Sequence, residues 1–216
     1  MDKSKAPNKP HPLTIIGNTE KTRDRIMLEA TLMFARKGYT AASVRDIARQ
    51  VGIRAASLYN HFASKELLWD AAMEHVRHLY RLYFERLEAT IAKAETFEEV
   101  LDCLFAEVHE VVQMFTYYGI SLIHTEQLRD PKACEIYNEL FLGYSTRFIK
   151  EKFDMCIEKG WVSEFDTNTV ATIFMHSIMI GNTLRTHADM GHNIPYDVDA
   201  MYNSIHFFFL SISKRG

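Results

Sequence analysis

From Thr22 onward the apolar residues of this chain recur at helical spacing almost without interruption, and glycines mark where that spacing stops. Ile26, Ala30, Met33 and Phe34 fall at i, i+4, i+7 and i+8 and make one stripe. Gly38, with Tyr39 and Thr40, ends that helix. A long segment over 64–94 follows, with Leu68, Ala72, Val76, Leu79 and Tyr83 on one face. Further helical segments cover 97–112, 117–127, 131–158, 167–190 and 196–213. Pro131 suits a first turn, and Gly160 and Gly191 stand where helices end. No stretch alternates apolar and polar residues between turn pairs. The pattern predicts an all-α fold.

Composition narrows the class. With 216 residues, 47% hydrophobic and 25% charged, and only nine Gly and five Pro, the chain reads as one globular domain or a small domain joined to a larger one. Apolar runs such as Phe207-Phe208-Phe209-Leu210 are far shorter than a membrane span. No secretory leader is legible, and three widely spaced cysteines suit a reducing compartment. A cytoplasmic protein without membrane partners is expected. The net charge of −3 hides a split: residues 1–66 hold twelve Lys and Arg against six Asp and Glu, whereas residues 67–216 hold 13 against 22. A basic first third suggests that this end meets a polyanion.

The stretch from Ser43 to Phe62, SVRDIARQVGIRAASLYNHF, carries the most information. Ser43 can cap a helix, with Asp46 three residues on to return the bond. Val44, Ile47, Ala48 and Val51 form a short apolar face, and Ala48 is small enough for a second helix to approach. Gly52 lets the chain leave through a left-handed turn that Ile53 can plug. A second short helix, over 54–61, then spaces Leu58, Tyr59 and Phe62 helically. Two short helices hinged at a glycine behind a longer one make a helix-turn-helix. The second spans roughly 10–12 Å, matching a major groove about 12 Å wide. Arg54, Ala55, Ser57, Asn60 and His61 point outward, and Ser43 heads a helix whose N–H groups attract phosphate.

These residues resemble the DNA-binding domain of the tetracycline-repressor (TetR) family. The resemblance covers residues 22–68. It rests on Ala30 with Phe34, Gly38-Tyr39, Ser43 to Ala48, Val51-Gly52, Leu58-Tyr59, His61-Phe62 and Ser64 to Leu67. It implies an N-terminal three-helix DNA-binding domain over 20–68, behind a flexible basic arm over 1–19. A larger helical effector-binding and dimerisation domain over 69–216 would follow. It also implies DNA contacts from Ser43, Arg45, Arg54, Ala55, Ser57, Tyr59, Asn60, His61 and Lys65, with Tyr59 and Lys65 on phosphate. The sequence departs from the family where Arg54 replaces the commoner Ser or Thr and Ala55 the frequent Lys. Arg54 then pairs with a guanine edge or binds phosphate.

The resemblance further implies a homodimer through the last two long helices, reading half-sites roughly 34–36 Å apart in a palindromic operator. Ala171, Ser177 and Gly181 permit close helix contact, and Met201, Ile205, Phe208, Phe209 and Ile212 make a wide apolar surface. Residues 67–216 hold 22 of the 26 aromatics and seven of the ten methionines. Tyr83, Phe105, His109, Met114, Tyr117, Tyr118, Phe141, Tyr144, Phe148, Phe174, Met175 and Met179 are candidates for an effector pocket, with His124 and His176 as further polar groups near it. The expected effector is small and apolar or aromatic, and the expected role is that of a repressor released by it. The alternative is a DNA-binding dimer controlled by a partner protein.

Enzymatic readings fail on their motifs. His109-Glu110-Val111-Val112-Gln113 lacks the second histidine of a metalloprotease helix, and Gly143 to Arg147 lacks the closing glycine of a nucleophile elbow. His187, Asp189 and His192 can be read as a metal site or as a polar loop, and the latter is preferred. No cofactor, catalytic residue or metal is expected. Redox sensing through Cys103, Cys134 or Cys156 is disfavoured, because only Lys132 near Cys134 offers a basic neighbour.

Overall fold

The computed structural model describes residues 22–110, 117–189, 193, 195 and 197–213. The arm over 1–19 and Gly191 lie outside them. Among the described residues the chain is helical throughout its ordered elements, with no strand. The helices are α1 (Thr22–Ala41), α2 (Val44–Val51), α3 (Ala55–Tyr59), α4 (Lys65–Ile91), α5 (Phe97–Glu110), α6 (Tyr117–Glu126), α7 (Pro131–Tyr137), α8 (Thr146–Glu158), α9 (Thr167–Asp189) and α10 (Val198–Ser213). A π-helical segment, Asn138–Ser145, joins α7 to α8. The contacts divide the chain into two units that meet between Ala72 and Met73.

In the first unit α1 buries Ile26, Leu28, Ala30, Leu32 and Phe34, a wider stripe than the spacing predicts. The helix breaks at Gly38, whose φ of 75° and ψ of 162° are not helical. Ser43 caps α2: its Oγ accepts from the Asp46 N–H at 3.1 Å and donates to Asp46 Oδ2 at 2.8 Å. The carboxylate therefore returns its bond to the hydroxyl. Val44, Ile47, Ala48 and Val51 are buried, as their spacing predicts. At Gly52 (φ 80°, ψ 29°) the chain enters the left-handed region, with Gly52 N–H donating to Arg49 O and Ile53 N–H to Ala48 O. That pair of bonds satisfies the last carbonyls of α2 and fixes the exit direction.

The second short helix is shorter than 54–61. Arg54 is extended (φ −74°, ψ 145°) and precedes α3 as its cap, while its carbonyl accepts from the Ser57 and Leu58 N–H groups. At the other end the His61 N–H turns back to Leu58 O, tightening the last turn and placing Phe62 inward. Leu58 is fully buried. Trp69 from the start of α4 sets its ring edge-on to Phe34 at 5.2 Å and 5.0 Å from Tyr39, closing the unit's core.

The second unit centres on Phe153 of α8, wholly buried among Phe97, Phe165, Phe174 and Phe209. Residues 131–158 form the uninterrupted helical run that the spacing predicts, but with a π turn inside it. Ser145 Oγ donates to Leu140 O, five residues back, at 2.7 Å, and shares a 2.8 Å bond with the Tyr80 hydroxyl. These bonds support the widened turn. Burial pushes the Tyr80 phenol well above its ordinary value, so it stays neutral. Beside it, Arg77 pairs with Glu74, Glu135 and Glu139, and Arg81 with Glu139, tying α4 to α7 and the π segment.

Gly181 of α9 is buried against α10: a Cβ placed there would meet Met201 Cε at 2.5 Å and the Tyr202 ring at 2.7 Å. The Met201 tip can move, but the Tyr202 ring is buried and has nowhere to go. Gly181→Ala should therefore cost about 1–3 kcal/mol as overpacking. A thermal melt should fall by several degrees, and an unchanged melting temperature would show that α9 and α10 are not so closely packed.

Candidate nucleic-acid interface

The turn at Gly52 and the buried Leu58 decide which side of α3 faces out. Arg54, Asn60 and His61 are exposed, Tyr59 is half exposed at 49%, and Ala55 and Ser57 are half-buried. Arg45, on the second residue of α2, is exposed too. Ser43 is exposed, but its hydroxyl is engaged in capping. Lys65 opens α4 with its ammonium 4.3 Å above the Tyr39 ring and 3.4 Å from Thr40 O. Arg45, Arg54, Ala55, Ser57, Tyr59, Asn60 and His61 thus share the region of α2, the turn and α3, with Lys65 at the head of the next helix.

Asp46 organises the basic charge around this surface, a role the sequence reading assigned only as a cap. Its carboxylate pairs with Arg49 and lies 3.8 Å from Lys37. The Ser43 hydroxyl bond, and after it Lys37 and Arg49, hold the Asp46 carboxyl below its ordinary value of 3.8. The Asp46–Arg49 spacing of three was a legible helical pair. Arg25 is another matter: it donates to Val51 O at 3.0 Å, bracing α1 against the end of α2 across 26 residues. No local pattern announces that bond.

The expected effector residues separate into two ring clusters. Tyr83, Tyr144 and Phe148 meet Phe84 at 4.8–5.1 Å, and Phe141 meets Tyr80 at 5.1 Å. Phe105 and Phe174 meet each other at 5.2 Å and belong with His206 and Phe209. Met175 is buried and Met179 half-buried. The side chains of His109, Met114, Tyr117 and Tyr118 lie outside the described residues. The His124 ring is tilted against Tyr137 at 5.7 Å, and His176 is exposed. His187 and His192 lie outside the described side chains, and among the described residues no three His, Cys, Asp or Glu groups converge as a metal site. Burial pushes the Cys156 thiol up to about 11, so at neutral pH it is protonated.

A capped eight-residue helix, a left-handed glycine and a five-residue helix make up a helix-turn-helix motif. Residues 26–72 match the family model described as bacterial regulatory proteins, tetR family. The match is confined to the N-terminal helices, from α1 to the start of α4.

The transcriptional repressor KstR2 of Mycobacterium tuberculosis is 31% identical over 105 residues, covering 48% of this chain and 52% of the relative. The chain thus spans about half the length of the curated relatives it matches first. Among solved structures, a transcriptional regulator from Saccharomonospora viridis in complex with choline aligns with a TM-score of 0.69 at 24% identity, over 87% of this chain and 95% of that one. FadR from Bacillus subtilis in complex with stearoyl-CoA aligns with a TM-score of 0.64 at 21% identity, over 87% and 97%. Both share the fold. No helix among the described residues is long and apolar enough to cross a membrane.

Because the Asp46 carboxyl is held low in the folded chain, its contribution to stability is complete above the ordinary value near 3.8 and is lost as pH falls through the lower folded value. Melts of the full chain between pH 7 and pH 2.5 should show this loss, and Asp46→Asn should flatten that part of the profile. Identical acid limbs in the two proteins would remove Asp46 from its organising role.

Proposed function

We propose that the chain is a ligand-responsive transcriptional regulator, acting as a repressor, which binds a palindromic operator as a homodimer and is released by a small apolar or aromatic effector. The helix-turn-helix carries the reading: its outward side combines Arg45 and Arg54 with the polar tips of Tyr59, Asn60 and His61. Residues 20–68 are the DNA-binding domain and 69–216 the effector and dimerisation domain in this reading. Relatives described as repressors support the sign of regulation.

The dimer is assigned to α9 and α10. Ile173 and Ile180, seven residues apart on α9, are 46% and 58% exposed, and Phe207 and Phe208 of α10 are 73% and 52% exposed. Ile173 and Phe208 line one open groove of about 470 Å³ with Ser177, Met201, Ser204 and Ile205. A second copy covers this surface, since apolar side chains of that size in one patch mark an interface.

Effector binding falls to the aromatic side chains of the second unit, with Tyr83, Phe141, Tyr144 and Phe148 in one ring cluster. Neighbours of the same fold hold choline and stearoyl-CoA, so a cationic headgroup and an acyl chain belong in the screen beside aromatic acids. Helix α4, 27 residues long, carries Tyr80, Tyr83 and Phe84 and begins in the DNA-binding unit. A ligand that binds better to one tilt of this helix changes the spacing of the recognition helices, and only such a difference in affinity releases DNA.

Selection from a random duplex library should enrich a palindrome whose half-sites lie about one helical turn apart. Ile180→Glu combined with Phe208→Glu should convert a dimer into a monomer of 25.1 kDa in sedimentation and abolish operator binding while the helical content remains. A dimer that survives both charges would move the interface elsewhere. Thermal-shift screening of acyl-CoA, choline and aromatic acids should find a compound that also releases the operator; failure of all of them would favour control by a partner protein.

A further inference from the structure

We infer that Arg54 is the base-reading side chain of this recognition helix and that the base it reads is guanine. The inference rests on the operator-binding reading above and adds to it the residue and base that set specificity.

Most cations of the first unit are already committed within the chain. Arg23 lies 4.6 Å over the Phe62 ring, and Arg25 donates to Val51 O. Lys37 and Arg49 converge on Asp46, Lys65 sits on Tyr39 and Thr40 O, and Arg36 is likewise engaged. Among the described residues of this unit, that leaves the guanidinium groups of Arg45 and Arg54 without a partner. Both are exposed.

Their positions divide the labour. In a helix-turn-helix the first helix crosses the backbone and the N-terminal residues of the second meet base edges. Arg45 stands in the first turn of α2, which places it toward phosphate. Arg54 stands immediately before α3, which places it over bases. Ala55 and Ala56 follow it, and their methyl groups leave the backbone room to come close. A Cβ at Gly52 would meet nothing within 4 Å, so the turn behind Arg54 is open as well. Arg54 caps α3 through its backbone alone, with no side-chain bond, so the fold makes no use of the guanidinium.

The chemistry then selects the base. A guanidinium offers two parallel donors and no acceptor. In the major groove guanine alone presents two neighbouring acceptors, O6 and N7. Adenine sets its N6 donor beside N7, thymine a methyl beside O4, and cytosine only a donor.

The test uses the full chain, selecting binding sites from a random duplex library with the wild type, Arg54→Ala and Arg45→Ala. Melts of each variant confirm that it folds. The wild type should require guanine at one position of each half-site, with adenine there weakening binding about 5- to 150-fold, as expected for one bidentate pair. Arg54→Ala should lose that preference and keep the rest of the site. Arg45→Ala should keep every preference, bind all sequences more weakly, and lower the slope of log affinity against log salt by about one.

Uniform weakening in Arg54→Ala, with the guanine preference intact and the salt slope reduced, would make Arg54 a phosphate contact and overturn the inference. A wild type that enriches no sequence would overturn the operator-binding reading itself, an outcome distinct from either variant result.

Discussion

Everything in the helix-turn-helix depends on how α2 stops. Two bonds, Gly52 N–H to Arg49 O and Ile53 N–H to Ala48 O, close the helix while glycine sits at φ 80°. An L side chain there costs about 1–2 kcal/mol of backbone strain, which is why glycine holds the position. With the exit direction set, the chain has only Ile53 and Arg54 in which to reorient before α3 begins. Leu58 then drops into the core, and the opposite side of a five-residue helix has nowhere to face but solvent. The exposure of Tyr59 follows from that geometry, and Asn60 and His61, just past the helix, are exposed beside it.

Charge around this turn is abundant but largely committed. Asp46 gathers the Ser43 hydroxyl, Lys37 and Arg49, and Arg25 braces the far end of α2 through a carbonyl. Each tether holds a cation near the helix it supports. Among the described residues of 22–66, the Lys and Arg side chains therefore serve two ends at once. One part holds α1 and α2 in place, and a smaller part remains for a polyanion.

Local signals made the first unit legible. A hydroxyl cap three residues before an acid, a glycine after a short apolar face and an aromatic at the next turn each leave a mark within a few residues, and each appears in the fold. The start of α3 was less legible, because Arg54 has nothing in its side chain to say whether it caps or continues a helix. In the second unit, spacing identifies the apolar face of each helix but not the neighbour it meets. Phe105 and Phe174 therefore lie in a different ring cluster from Tyr83, Phe141, Tyr144 and Phe148. Gly181, small enough for a second copy to approach, takes Met201 and Tyr202 of its own chain. The π turn left no trace at all, since eight residues are too few to separate its period from that of an α-helix.

That π turn has a consequence for how the second unit is wired. A turn that holds one extra residue displaces everything after it by roughly 100° around the axis, the arc one residue occupies in an α-helix. α7 packs with α6, and its Glu135 reaches Arg77 of α4; α8, on the same unbroken run, packs with α9. One rod thus serves two sets of neighbours without a loop between them. Tightening Asn138–Ser145 into an ordinary α turn while keeping every residue would leave a sound helix pointing Phe148, Ile149 and Phe153 the wrong way. The segment behaves as a reading frame written in angle: the widened turn and its extra residue must come and go together, or the register of what comes after is scrambled.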